Sequence, residues 1–286
     1  MGLEIKKKML LLGDGAVGKT SLVRRFVLDQ FDDRYITTIG AKVTKKEIKF
    51  KAGGQPVTLT LMLWDLLGQQ GYERIQKASF AGADGALMVC DVTRRETLKS
   101  LDTYWLPMLR EVAGAVPIII LANKADLPNR EITPKELFEM AGKHHTNFFF
   151  TSAKTGLNVN LAFYKLGYYV LKKHTSTATK EVELAAEEEK KYLPQIEEKE
   201  WYTPIEVADM IMTDFCAYDE VAGIDGTMEI LVPQFDRAGV DVKNPTKDGL
   251  KKVVKYLAEM EILIKEPDEV QENYERRMRW VEKIKE

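Results

Sequence analysis

The sequence predicts three parts: a doubly wound α/β sheet over residues 1–174, a charged connector over 175–200 and a small, mainly helical domain over 201–286. Three observations lead there. Through the first 174 residues, short apolar runs alternate with segments of helical period, the mark of a mixed, mostly parallel sheet with helices on both faces. Two of those runs, ALMVCD (86–91) and PIIILAN (117–123), are apolar almost without a break, as strands buried on both faces are. From residue 175 the composition changes: TSTATKEVELAAEEEKKYLPQIEEKE has few large apolar side chains and many charges, and a globular pattern resumes at Trp201.

The elements follow in order. KMLLL (8–12) is a short strand ending in the glycine-rich turn GDGAVGKT. SLVRRFVLDQF then places Leu22, Val23, Phe26 and Val27 on one helical face. Residues 43–50 and 57–64 alternate around Ala52-Gly53-Gly54 and read as an antiparallel hairpin. A helix is expected at 95–113, a short one near 134–143, a strand beginning near Asn147 in NFFFTSAK, and a last helix at about 158–173. Beyond the connector, helices are expected near 204–217, 228–238, 246–260 and 269–285. Lys247–Met260 followed by the strand-like Ile262-Leu263-Ile264-Lys265 and the turn Glu266-Pro267-Asp268 suggests one likeness for this part, to winged-helix domains.

Composition bounds the function. The 286 residues are 45% apolar, enough for a real core. Two cysteines, Cys90 and Cys216, exclude a disulfide framework and point to a cytoplasmic chain. The start, MGLEIKKKMLLLG, lacks the apolar centre of a signal peptide, and Lys6 breaks the myristoylation pattern that Gly2 would open. VEKIKE at the other end offers no cysteine for prenylation, so no direct lipid anchor is expected. The net charge of -2 is unevenly spread. Residues 175–200 carry 4 basic and 8 acidic side chains and residues 201–286 carry 12 and 19, leaving an excess of 9 positive charges on residues 1–174. A basic front and an acidic back attract each other, and a contact of the tail with the first domain is a consequence to test.

Gly13-Asp14-Gly15-Ala16-Val17-Gly18-Lys19-Thr20, with Ser21 beyond it, fits G-x-x-x-x-G-K-[ST] between a strand and a helix, the setting that a phosphate-binding loop requires. Its glycines let backbone N–H groups converge on phosphate oxygens, and the following helix turns its positive end toward them. Lys19 is suited to the β- and γ-phosphates and Thr20 to Mg²⁺. Three further motifs end strands: Trp64-Asp65-Leu66-Leu67-Gly68-Gln69, Asn123-Lys124-Ala125-Asp126 and Thr151-Ser152-Ala153-Lys154. Strand ends are where α/β sheets bind ligands, so all four motifs can face one site.

With these four motifs in this order, residues 5–173 resemble the Ras/Rab-like small GTPases. The resemblance implies a GTP/GDP-dependent switch that binds guanine nucleotide with Mg²⁺ and hydrolyses GTP slowly. Asp126 is then the guanine reader, its carboxylate accepting from N1–H and the exocyclic amine; adenine lacks that donor pair. Asn123 and Lys124 resemble the residues that tie this loop to the phosphate loop and cover the base. Ser152, Ala153 and Lys154 form the loop whose Ala153 N–H resembles the donor to guanine O6. Asp65 resembles the carboxylate that holds Mg²⁺ through water, and Gly68 the glycine whose N–H senses the γ-phosphate. In Tyr35-Ile36-Thr37-Thr38-Ile39-Gly40, Thr38 matches the switch threonine that ligates Mg²⁺. Thr37 competes, but the family has Ile and Gly after its threonine. Phe31 lies where the family places an aromatic ring against the base, with core packing as the other reading. Gln69 occupies the position of the water-orienting glutamine, and Gly15 with Ala16 keeps the loop small beside it. No intrinsic arginine finger stands out in the sequence beyond Arg34, a weak candidate. Turnover on the order of 10⁻⁴ to 10⁻³ per second is therefore expected without a partner.

WDLLGQQ departs from the family's WDTAGQE: Leu66 and Leu67 either stiffen the second switch or change its partner surface. AKVTKKE after Gly40 lacks the usual acidic signature. A GTP-binding scaffold with little hydrolysis is one rival reading. A nucleotide-gated DNA-binding regulator is another, since Lys247, Lys251 and Lys255 share a helical face. Excess acid in the tail repels nucleic acid, so the tail is expected to serve protein partners. Arg276-Arg277-Met278-Arg279-Trp280 is expected to pack a terminal helix.

Overall fold

A computed structural model describes residues 3–31, 40–52, 54–66, 68–69, 71–175, 182–184, 200–218, 231, 233–241, 244–263 and 265–285. Thr37, Thr38, Arg34 and Leu67 lie outside the described residues. The chain divides into two compact units, Met1–Ile132 with Phe148–Gln195, and Thr133–Asn147 with Ile196–Glu286. The border expected at residue 174 is a single cut, whereas this division also takes residues 133–147 out of the first unit.

The first unit is built on a sheet with strand order β6-β5-β4-β1-β3-β2-β7. The strands are β1 (Leu3–Leu12), β2 (Ala41–Ala52), β3 (Gln55–Leu66), β4 (Gly85–Asp91), β5 (Ile118–Asn123), β6 (Asn147–Phe150) and β7 (Val182–Leu184). β1 runs parallel to β3 and to β4, and β4 parallel to β5. β2 returns antiparallel on β3, with Ala52 opposite Gln55 across a two-residue turn in which Gly54 takes φ 73°. Three residues of the expected connector join this edge: Phe50 pairs with Leu184 and Ala52 with Val182. The apolar–charged–apolar alternation of Val182-Glu183-Leu184 suits an edge strand. All seven residues of β4 and all six of β5 are buried, as their apolar runs require.

Helix α1 (Lys19–Leu28) and helix α6 (Val159–Thr175) pack together and on β3, sealed by the stacked rings of Phe26 and Phe163, 4.2 Å apart. Helix α2 (Glu73–Phe80) packs on α4 (Leu106–Ala113), and α3 (Arg95–Ser100) lies on β4. The helix expected over 95–113 is continuous but widens to a π turn at Leu101–Trp105 between α3 and α4. The direction of strand order reverses at β1, so the turn after β1 opens at the switch point where such sheets bind ligands.

In the second unit, helix α5 (Pro134–His144) starts at a reciprocal cap between Thr133 and Glu136. Helices α7 (Pro204–Tyr218), α8 (Lys247–Glu261) and α9 (Pro267–Glu282) enclose Val207, Ile211, Phe215, Leu250, Val254, Leu257 and Trp280. Residues 231 and 233–238 are helical, within the expected span. At their centre Arg277, with no exposed surface, donates to both oxygens of Glu261 (2.8 and 3.0 Å) and to Asp214 (2.7 Å). The basic terminal run thus packs its helix, as expected.

The strand expected at 262–265 is corrected at residues 262, 263 and 265, Ile264 lying outside the described residues. Residues 262–263 form a turn between α8 and α9, and Ile262 and Leu263 are exposed. Helical backbone bonds continue through Ile262 N–H to the Ala258 carbonyl and Lys265 N–H to that of Glu261, whose side chain Arg277 holds, and a short apolar run does not override that anchor. Two of the three lysines on the expected nucleic-acid face are taken by the end of α9: Lys251 reaches Glu282 at 2.8 Å and Lys247 donates to the Glu282 carbonyl at 2.8 Å. Among the described residues no helix is long and apolar enough to cross a membrane.

Candidate functional site

The four motifs converge at the carboxyl ends of β1, β3, β5 and β6. The turn after β1 needs backbone that side chains disfavour: Gly18 takes φ 100° and a Cβ there would overlap the amide of Asn123. Ala16 adopts the left-handed region too, at φ 62°. The buried Lys19 ammonium closes the loop on itself, donating to the carbonyls of Gly13 (2.7 Å) and Asp14 (2.8 Å). Burial pushes its pKa down to about 8, against the pull of Asp65 and Asp14. Gly68 comes against the same group: a Cβ there would strike both the Lys19 ammonium and the Asp14 carbonyl.

Thr20 donates from Oγ1 to Asp65 Oδ2 at 2.5 Å, which brings a hydroxyl and a buried carboxylate together beside the loop. Hard oxygen donors of this kind fit Mg²⁺. Ser21 follows, half-buried, in the first turn of α1. Gln69 is exposed, and its carbonyl accepts from Gln76, whose side chain also accepts from the Tyr104 hydroxyl. Phe31 follows the last residue of α1 by three positions and is half-buried.

The base-side loops are wired to one another. Asn123 donates to the Val17 carbonyl at 2.8 Å, tying β5 to the phosphate loop, and its Oδ1 lies 3.3 Å from the Thr151 hydroxyl and from the Ala153 N–H. Ser152 is fully buried and donates to Asp126 at 2.6 Å, aiming a carboxylate that is otherwise exposed. Lys154 is exposed, and its carbonyl is held from α1.

Several residues here were not singled out by motif. Asp91, buried at the end of β4, binds the Lys124 ammonium (2.6 Å), Arg94 Nε (3.1 Å) and the Thr93 backbone and hydroxyl. Burial raises its carboxyl pKa, but those partners outweigh it and leave the group below the usual range. An acid closing an otherwise apolar strand was the available signal. Arg94 also donates from Nη2 to the Gly15 carbonyl at 3.0 Å. Asp14 accepts at Oδ1 from Ser100 (2.7 Å) and from Trp105 Nε1 (2.8 Å). Those donors are five positions apart, and the π turn brings them to one side of the helix. Arg25 spans from α1 to the carbonyls of Ala153 (2.9 Å) and Lys154 (2.6 Å).

A phosphate loop at the switch point, a hydroxyl–carboxylate pair beside it and two loops braced against it define the class of nucleotide-binding α/β proteins with a P-loop. A sequence model of the Ras family matches residues 8–172. The chain is similar to the Ras-related protein Rab-2B of Dictyostelium discoideum, 38% identical over 168 residues that cover 58% of this chain and 81% of the relative. It is also similar to the Ras-related protein Rab-13 of Mesocricetus auratus, 36% identical over 58% of this chain and 80% of that protein. The Ras-related protein Rab7 of Drosophila melanogaster is 34% identical over 54% and 76%. The chain belongs to the Ras family and carries a small-GTPase domain followed by a helical C-terminal region.

Proposed function

We propose that the chain is a guanine-nucleotide switch that binds GTP and GDP with Mg²⁺ and hydrolyses GTP slowly. The observation that carries the reading is the meeting of all four motifs at one end of the sheet, with Lys19, Thr20 and Asp65 on the phosphate side and Asp126, Ser152 and Ala153 on the base side. Thr20, Thr38 and Asp65 are the residues suited to hold Mg²⁺, which neutralises phosphate charge when bound. Gly13 through Thr20 bind the phosphates, Lys19 orients them, and Gln69 positions the attacking water. Asp126 accepts from guanine while Ser152 fixes its carboxylate, and Lys124 lies over the base.

Effectors and regulators are expected on the switch segments, with the protein acting in the cytoplasm. Residues 201–286 are proposed as a protein-interaction module on a charged linker. The test of guanine reading is competition binding with GTP, ATP and XTP. The parent is expected to prefer GTP over ATP, and Asp126→Asn to shift toward XTP, whose 2-oxo group pairs with an amide. Equal ATP and GTP affinity in the parent overturns the reading. GTP binding without measurable phosphate release would favour the scaffold.

A further inference from the structure

Arg94 follows the buried end of β4 by three residues, and nothing in the phosphate-loop motif calls for it. Its guanidinium is anchored at two points. Nε binds the carboxylate of Asp91, and Nη2 binds the carbonyl of Gly15, within the phosphate loop. Asp91 is itself fixed by Lys124 and Thr93, so the anchor is rigid. Nη1 has no hydrogen-bond partner among the described residues, and the side chain keeps 36% of its surface exposed. Arg94 is near enough to Lys19 that its charge helps lower that ammonium's pKa. A planar cation with unused donors therefore stands at the rim of the loop that holds the phosphates, beside the one lysine suited to the β- and γ-oxygens.

We propose that Arg94 is an arginine supplied in cis to the phosphate site, stabilising the charge that builds on the phosphoryl oxygens as GTP is hydrolysed. This rests on the GTPase reading and revises its rate. In the reaction the water oxygen bonds to the γ-phosphorus, and the bond from that phosphorus to the β–γ bridging oxygen breaks. Its electron pair stays on GDP, and the water's proton leaves with inorganic phosphate. Charge grows on the bridging oxygen, and a guanidinium with free N–H groups is matched to it in geometry and sign. GTPases that carry such an arginine in their own chain turn over at about 10⁻² per second, against roughly 3–5 × 10⁻⁴ without one. A partner-free rate above the lower range is the expectation here.

The experiment uses the full chain with Mg²⁺ and three variants, Arg94→Ala, Arg94→Gln and Arg94→Lys. Single-turnover phosphate release gives the chemical step, and fluorescent GDP gives affinity and confirms a folded site. Addition of aluminium fluoride to the GDP complex reports capture of a transition-state mimic without a partner. The alanine and glutamine variants are expected to lose about tenfold or more in rate and to fail to capture the fluoride complex, while GDP affinity changes less than about threefold. Lysine, which keeps charge without the fork, falls between. Glutamine can still brace the Gly15 carbonyl, so its loss isolates the charge. Rates within about twofold of the parent overturn the proposal while leaving the GTPase reading intact. An equal fall in GDP affinity and rate also overturns it, reducing Arg94 to a brace. A parent that binds no guanine nucleotide overturns both.

Discussion

Arg25 offers a way to loosen the base-reading loop without touching a nucleotide contact. From α1 it donates to two successive carbonyls of that loop, Ala153 at 2.9 Å and Lys154 at 2.6 Å. The N–H of Ala153 is the donor assigned to guanine O6, so the brace and the contact sit on one residue. A hydrogen bond from a charged donor contributes about 1.5–3 kcal/mol when buried. The Arg25 side chain is 18% exposed, which calls for a discount. About 1 kcal/mol for each bond, or roughly 2 kcal/mol together, is a fair value. Arg25→Ala is then expected to weaken GDP binding by about 30-fold, and most of such a change falls in the dissociation rate. The assay is release of fluorescent GDP into excess unlabelled GDP with Mg²⁺. Arg25→Lys, able to make one bond of the pair, should release about fivefold faster than the parent. A dissociation rate within about twofold of the parent in the alanine variant would refute the brace, even if thermal stability fell.

Gln69→Leu is expected to cut partner-free, single-turnover hydrolysis by about tenfold with GDP affinity preserved; a parent-like rate removes Gln69 from water positioning. The Lys19 ammonium, at about 8 in the free protein, should rise when phosphates surround it. Binding then takes up a proton, and affinity is full below that value and lost as pH rises through it. GDP affinity without Mg²⁺ should fall about tenfold from pH 7 to pH 9, and isothermal titration showing no proton uptake near pH 8.5 contradicts this. In the second unit, Arg277→Leu leaves Asp214 and Glu261 buried, with Arg276 beside the first and Lys265 and Asn273 beside the second. A loss of about 3 kcal/mol follows, lowering that unit's thermal midpoint by roughly 12–24 °C. A drop below about 5 °C in calorimetry would mean the network contributes little.

The sheet was legible because its strands are apolar runs that end in motifs, and each motif is contiguous. The sequence alone puts the glycine turn, Asp65, Asn123, Asp126 and Ser152 at one end of the sheet. It does not do so for Asp91, Arg94, Arg25 and Trp105. Each acts through a bond to backbone or side chain at a distance in sequence, such as Trp105 to Asp14, and no local period encodes that partner. Ile262 and Leu263 misled for the converse reason. Their local β character was plain, but the conformation was decided by the helix Arg277 anchors and by Pro267 opening the next one.

A π turn is an α-helix with one residue too many for its height. Between Ser100 and Trp105 that surplus residue sets the phase of everything after it, because the indole must arrive on the side where Asp14 waits. The count of residues from β4 to the indole is therefore a measuring rod for the phosphate loop. Wound as an ordinary α-helix, the same residues would carry Trp105 five steps of 100° from Ser100, about 140° away from the side of Asp14. The loop would lose a support that no substitution within the loop could restore. What the helix must keep is the match between its winding and its residue count.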